Sequence, residues 1–191
     1  MFPSSEREER EKQYLSVIGR YTAEEQKIFP EMMSIVTLAL EDNPEQDFLG
    51  SLYHYLELHQ EQKGQFFTPY NISRFMAEVL FEKNDARRKL EQNNYISVSD
   101  PACGAGAMLI AFANAAKRSG INYQKQVLFV AQDIDHTAAI MCYIQLSLLG
   151  CPAVVIIGDT LTKPMFHPDN DVWYTLFYHL NRWKFSKCFG V

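Results

Sequence analysis

No apolar run in the 191-residue chain exceeds seven residues (Ala107–Ala113 is one), too short to span a bilayer as a helix. Basic charge is not in excess either. Eighteen Lys and Arg stand against 23 Asp and Glu, a net charge of −5, so no overall positive field draws the chain onto nucleic acid or an anionic membrane. Cysteine is sparse: Cys103, Cys142, Cys151 and Cys188 form no CxxC pair, which argues against a disulfide scaffold and leaves no metal site to expect. There is no internal repeat, no GxGxxG fingerprint, no phosphate-loop lysine and no Pro-Pro pair. The first twelve residues, MFPSSEREEREK, carry charge where an export signal needs its apolar core, and a cytoplasmic location is expected.

What is present reads as an ordinary globular protein, 47% apolar and 21% charged. Residues 1–62 form an N-terminal helical region. Thr22-x-x-Glu25 is a capping box opening a helix with Met32, Met33, Ile35, Val36, Leu38 and Leu40 as expected core, and Pro30 should kink or divide it. Asp47 is placed to cap the next helix. Residues 63–175 change period. Asn71 is the expected cap of a helix with Ile72, Phe75, Met76, Val79 and Leu80 on one apolar face. Three strand–helix alternations follow, with strands near 95–99, 126–132 and 154–158 and helices closed by Gly120 and Gly150. Strands apolar throughout, alternating with helices, predict an α/β fold with a doubly wound parallel sheet. Residues 176–191 are an aromatic tail with Trp183 and Phe185 beside Arg182 and Lys184, expected to pack on something.

The chemistry lies at the strand ends. The first strand runs into Asp100-Pro101-Ala102-Cys103-Gly104-Ala105-Gly106, a turn that begins with a carboxylate and lets a ligand approach its backbone. The second strand ends in Asp133 and the third in Asp159. In an open sheet of this kind the ligand crevice lies outside the carboxyl ends of the strands, so three acids would line one crevice. Asp133 is in the role of a carboxylate on a ribose diol, Ile134 offers an apolar face beside it, and Asp135 reads as a helix N-cap. Cys103 reads as an inert buried thiol. His167, Asp169 and Asp171 read as a solvated loop rather than a cation site.

Taken together, GQFFTP (Gly64–Pro69), DPACGAG (Asp100–Gly106), AQDID (Ala131–Asp135) and GDTL (Gly158–Leu161) resemble the N6-adenine DNA methyltransferases, in the motif order of the gamma class. The likeness is to the modification subunits of type I restriction systems in particular. It implies a Rossmann-like methyltransferase sheet, here truncated, that binds S-adenosyl-L-methionine (SAM). Phe67, Thr68 and Pro69 would close over the methionine end. Asp100, with Pro101 and Ala102, would meet the cofactor's amino group, and Gly104 and Gly106 would let the backbone approach. Asp133 would hold the ribose and Ile134 would face the adenine ring. Asp159 would take the adenine amino group, with Leu161 beside it. DNA would be the substrate, reached with help from another subunit or domain.

The chain departs from that family at Asp133, where the family more often has Glu, and more importantly at the catalytic motif. The family's catalytic Asn/Asp-Pro-Pro-Tyr/Phe, which receives the amino group of a flipped adenine, is not present. The best-placed segment is Asp171–Thr175, followed by Leu176, Phe177 and Tyr178, so the catalytic residues are unknown and a catalytically deficient SAM-binding module is the alternative. A strand order 3-2-1-4 would leave an open sheet edge, through which a homodimer or a partner subunit is expected to form.

Overall fold

The computed structural model describes residues 4–56, 67–165 and 167–181. The Gly64–Phe66 half of the first motif, the aromatic residues beyond Asn181, His59 and Cys188 lie outside them. The chain divides into two compact units, residues 1–38 and 39–191.

The first unit contains α1 (Ser4–Ile18) and most of α2 (Ala23–Asp42). The expected capping box is formed: the Thr22 N–H donates to Glu25 Oε2 at 2.8 Å and the Glu25 N–H to Thr22 Oγ1 at 3.3 Å. Pro30 does not divide the helix, which is continuous through it. Of the expected core of α2 only Leu40 is buried. Met32, Met33, Ile35 and Leu38 are exposed and Val36 only half-buried, because two helices cannot enclose the faces of both.

In the second unit come α3 (Phe48–Tyr55), α4 (Tyr70–Leu80), α5 (Lys83–Asn93), β1 (Ile96–Asp100), α6 (Ala107–Arg118), α7 (Tyr123–Gln126), β2 (Val127–Asp133), α8 (His136–Leu148), β3 (Ala153–Ile157), β4 (Asp171–Tyr174) and α9 (Leu176–Leu180). The three expected strands are present within a residue of their predicted limits, and Gly120 and Gly150 follow α6 and α8 in left-handed conformation.

The sheet order is β1-β2-β3-β4, with β1, β2 and β3 parallel and β4 antiparallel to β3. This corrects the expected 3-2-1-4 order and the doubly wound reading, for the strands step in one direction without reversing. The connection from β3 to β4 carries Pro164 and Pro168 and no helix. A parallel return needs a crossover, normally helical, whereas an antiparallel neighbour needs only a loop.

Both crossovers step the same way, and the right-handed rule places α6 and α8 on one face of the sheet. On the other, Leu128, Val130, Val154 and Ile156 pack with Tyr178 of α9, and Tyr95, Met165, Val172 and Tyr174 surround them. A fully buried side chain of this size contributes about 1.5–3 kcal/mol, so the sheet residues anchor the fold.

Helix α4 is turned the other way from expectation. Pro69, not Asn71, is its N-cap. Its buried side is Ser73 and Ala77, and Ala77 packs on Ala111 and Ala115 of α6 with Tyr70, Phe81 and Phe112 around them. Ile72, Phe75, Met76, Val79 and Leu80 are exposed, Phe75 at 65% and Val79 at 67%. Small residues on both helices allow the close approach that the larger face would prevent. Asn114 locks the arrangement: its Nδ2 donates to the carbonyls of Pro44 (2.9 Å) and Ile110 (3.0 Å) and to Tyr70 Oη (3.3 Å).

Candidate active site

The β1–α6 turn is held by the strand beside it. The Cys103 N–H donates to the Gln132 carbonyl (3.0 Å), and the Gly104 N–H to Asp133 Oδ2 (2.7 Å). Gly106 begins α6 at φ 98°, in the left-handed region that side chains avoid, and a Cβ there would lie 2.9 Å from Cys142 Sγ. A Cβ on Gly104 would lie 3.3 Å from the ring of Phe67. Phe67 meets Tyr53 of α3 edge-on at 5.6 Å between centroids. The second half of the FFTP segment therefore stands beside the glycine turn, with Thr68 and Pro69 exposed.

Three acids stand at the same edge of the sheet. Asp100 is level with Ala131, and Asp133 with Ile157. Burial pushes the Asp100 carboxyl above the usual aspartate range, and the negative charge of Asp133 adds to the effect. The Ala102 N–H, donating to Asp100 Oδ1 at 3.1 Å, opposes it. Asp133 Oδ1 accepts from the Asp135 N–H at 2.9 Å. Each Asp133 oxygen thus takes one backbone donor, and a carboxylate offers about four acceptor sites, which leaves room for a diol.

Asp159 shapes its own loop. Its Oδ2 accepts from the Thr162 hydroxyl (2.8 Å) and its Oδ1 from the Leu161 N–H (3.0 Å), which hold its carboxyl below the usual range. Thr160 joins this loop to the first turn by donating to the Pro101 carbonyl at 2.5 Å. Ile134 and Leu161 are exposed at this edge, 71% and 92%. Asp135 is the N-cap of α8, accepting from the Ala138 N–H at 2.8 Å, as expected.

The cysteines are packing residues. Cys103, Cys142 and Cys151 are free and buried. A hydrogen bond with Cys142, then burial, raises the Cys103 thiol well above its ordinary range, and burial does the same for Cys151. Neither supplies a thiolate.

The aromatics of strand β4 meet rings of α8 and α9. Trp173 meets Tyr143 of α8 edge-on at 5.3 Å, and Tyr174 packs on Tyr178 at 4.9 Å. Among the described residues no group of three or more His, Cys, Asp or Glu could hold a metal ion, and no helix is long and apolar enough to cross a membrane.

Several shaping residues were not singled out from the sequence. Gln132, fully buried, donates to the carbonyls of Gly158 (3.2 Å) and Lys163 (2.8 Å) and so sets the β3 loop. Its signal was a polar residue inside an otherwise apolar strand.

An α/β sheet with a glycine turn after its first strand and acids at or just beyond successive strand ends gathers at that edge the groups from which a ligand site can be built. The sequence model of the N-6 DNA methylase family matches residues 44–177, and the chain belongs to that family. Its relatives include methylase subunits of type I restriction enzymes, as the ordered motifs implied. The MjaVIII methylase subunit of Methanocaldococcus jannaschii is 28% identical over 127 residues, 63% of this chain and 19% of that one. The MpnII methylase subunit of Mycoplasma pneumoniae is 28% identical over 151 residues, 74% of this chain and 26% of that one. The type II methyltransferase M.MamI of Microbacterium ammoniaphilum is 30% identical over 112 residues, 56% and 31%. The chain thus spans about a fifth to a third of these relatives. No solved structure gives a significant match.

Proposed function

We propose that residues 63–175 form a SAM-binding core that serves methylation of adenine N6 in DNA. The observation that carries this reading is the joining of Phe67, the glycine turn, Asp133 and the Asp159 loop at one end of the sheet. The donors fit the cofactor. The Asp100 carboxylate suits a cationic amino group and Asp133 a diol, Asp159 can accept from an exocyclic amine, and Ile134 and Leu161 offer apolar surface to a purine. Pro101 and Ala102 shape the Asp100 side of the turn, and Thr68 and Pro69 continue the wall that Phe67 begins. When bound, SAM supplies an electrophilic methyl on a sulfonium centre. The residues named here bind and orient the cofactor; none of them is assigned to the amino group of the target adenine.

The lack of Asn/Asp-Pro-Pro-Tyr/Phe, together with the engagement of the β4 aromatics elsewhere, favours a second reading, a SAM-binding module that does not itself transfer methyl. Calorimetric titration with SAM, followed by transfer of labelled methyl to adenine-containing DNA, separates the two. Binding with transfer supports the first, binding without transfer the second, and no binding overturns both.

Asp100 gives the binding a pH signature. Its carboxyl sits above the usual range, so the charge that meets a cation is lost earlier than usual on acidification. SAM affinity is expected to be full above that raised value and to fall as pH drops through it. Asp100→Asn should bind more weakly and lose this pH dependence; a parallel profile in the variant would refute the assignment. A homodimer or partner subunit is proposed at the sheet edge, where β1 and β4 are the outer strands. Light scattering that finds only monomer at high concentration would remove the homodimer.

A further inference from the structure

The buried carboxylate of Asp47, 3% exposed, takes no part in the binding described above, yet it is connected to the turn that does. Gln145 of α8, also buried, makes the connection. Its Nε2 donates to Asp47 Oδ1 at 2.7 Å and to the carbonyl of Ala105 at 2.9 Å, and its Oε1 accepts from the Leu49 N–H at 3.0 Å. Ala105 lies between the two glycines of the cofactor turn. Asp47 Oδ1 also accepts from the Gly50 N–H at 2.9 Å, as the N-cap of α3.

The surroundings reserve space for this carboxylate. A Cβ on Gly50 would lie 2.1 Å from Asp47 Oδ2, so α3 keeps in its first turn a residue that disfavours helix. Burial pushes the Asp47 carboxyl up, against the hydrogen bonds from Gln145 and the Gly50 N–H. A helix cap alone does not require such depth, since a serine on the surface caps as well. What depth supplies is reach to Gln145.

We propose that Asp47 and Gln145 are positioning residues that hold the β1–α6 turn from behind, fixing the backbone of Gly104–Gly106 in the shape the cofactor needs. The proposal rests on the reading of that turn as the SAM site. It makes the segment around α3 a working part of the cleft, with Tyr53 meeting Phe67 and Asp47 holding the Gln145 amide that reaches the Ala105 carbonyl.

Three variants of the full chain test it. Gln145→Met keeps the volume and removes the amide. Asp47→Ser keeps a cap for the Gly50 N–H and is too short to reach Gln145. Asp47→Asn keeps an oxygen for both donors. SAM affinity by calorimetry is read beside amide exchange of residues 103–107 and of β2 by nuclear magnetic resonance. Gln145→Met and Asp47→Ser are expected to weaken SAM binding about ten-fold and to speed exchange in the turn while β2 exchanges as in the parent. Asp47→Asn should match the parent in both. Exchange that rises equally in the turn and β2, or parental SAM affinity in both disrupting variants, overturns the proposal. If the parent itself binds no SAM, the cofactor reading fails, and the exchange measurement still decides whether the relay holds the turn. Should Gln145→Met not fold, Asp47→Ser decides alone.

Discussion

Gly106→Ala is expected to destabilise the chain by about 3 kcal/mol, the sum of left-handed backbone strain and overpacking in a closed core. The backbone there has φ 98°, and the new methyl would meet Cys142 Sγ at 2.9 Å with Cys142 Cβ at 3.5 Å behind it. Cys142 is fully buried and cannot swing aside. The two contributions can be separated. Cys142→Ala in the same chain should restore the overpacking part and leave the strain, so that the double variant recovers some stability but not all. Urea unfolding of the four chains in the cycle measures this. A Gly106→Ala variant within about 0.5 kcal/mol of the parent, the usual range for an innocuous change, would show that the turn is not shaped as described. SAM binding is expected to be lost in the single variant, since the first turn of α6 must shift to accept the methyl.

The second large effect is at Asp133. Asp133→Ala should weaken SAM binding about 100-fold, because hydrogen bonds to a charged group are worth roughly 1.5–3 kcal/mol each and more than one is lost. The Gly104 N–H at 2.7 Å and the Asp135 N–H at 2.9 Å would both lose their acceptor, and so would the proposed ribose. Asp133→Asn offers little relief, for its amide turns an N–H toward one of those two N–H donors. Asp135→Ala is the control. It removes the α8 cap at about 1 kcal/mol of stability and should leave SAM affinity near that of the parent. Equal losses of affinity at Asp133 and Asp135 would mean that the effect is general damage to the β2–α8 loop.

Much of this architecture was readable in the residues. Strands β1 to β3 were legible because they are short apolar runs ending in acid and bounded by glycine-closed helices, and the strand ends then gave Asp100, Asp133 and Asp159 as neighbours. The fourth strand was legible as an element but not as a position. Whether Asp171–Tyr174 lies beside β1 or β3 depends on the connection that delivers it, and two prolines among the thirteen residues between β3 and β4 disfavour the helix of a parallel crossover. The α4 face was misjudged for a different reason. Periodicity finds the larger apolar stripe, but the stripe that packs is the one whose partner helix fits it, and α6 offers alanines. Gln145 was hidden in an apolar helix, where one amide with three partners 40 to 98 residues distant leaves no local pattern.

That orientation of α4 has a mechanical side. Pro69 is at once the end of the segment that starts with Phe67 and the cap of α4, so the helix is a rigid rod joined to the wall of the cleft without slack. Its inner side is held to α6 by alanine packing and by the Asn114–Tyr70 hydrogen bond, while its outer surface carries large exposed side chains. A change in the tilt of α4 would therefore reach Phe67, beside Gly104, across only Thr68 and Pro69.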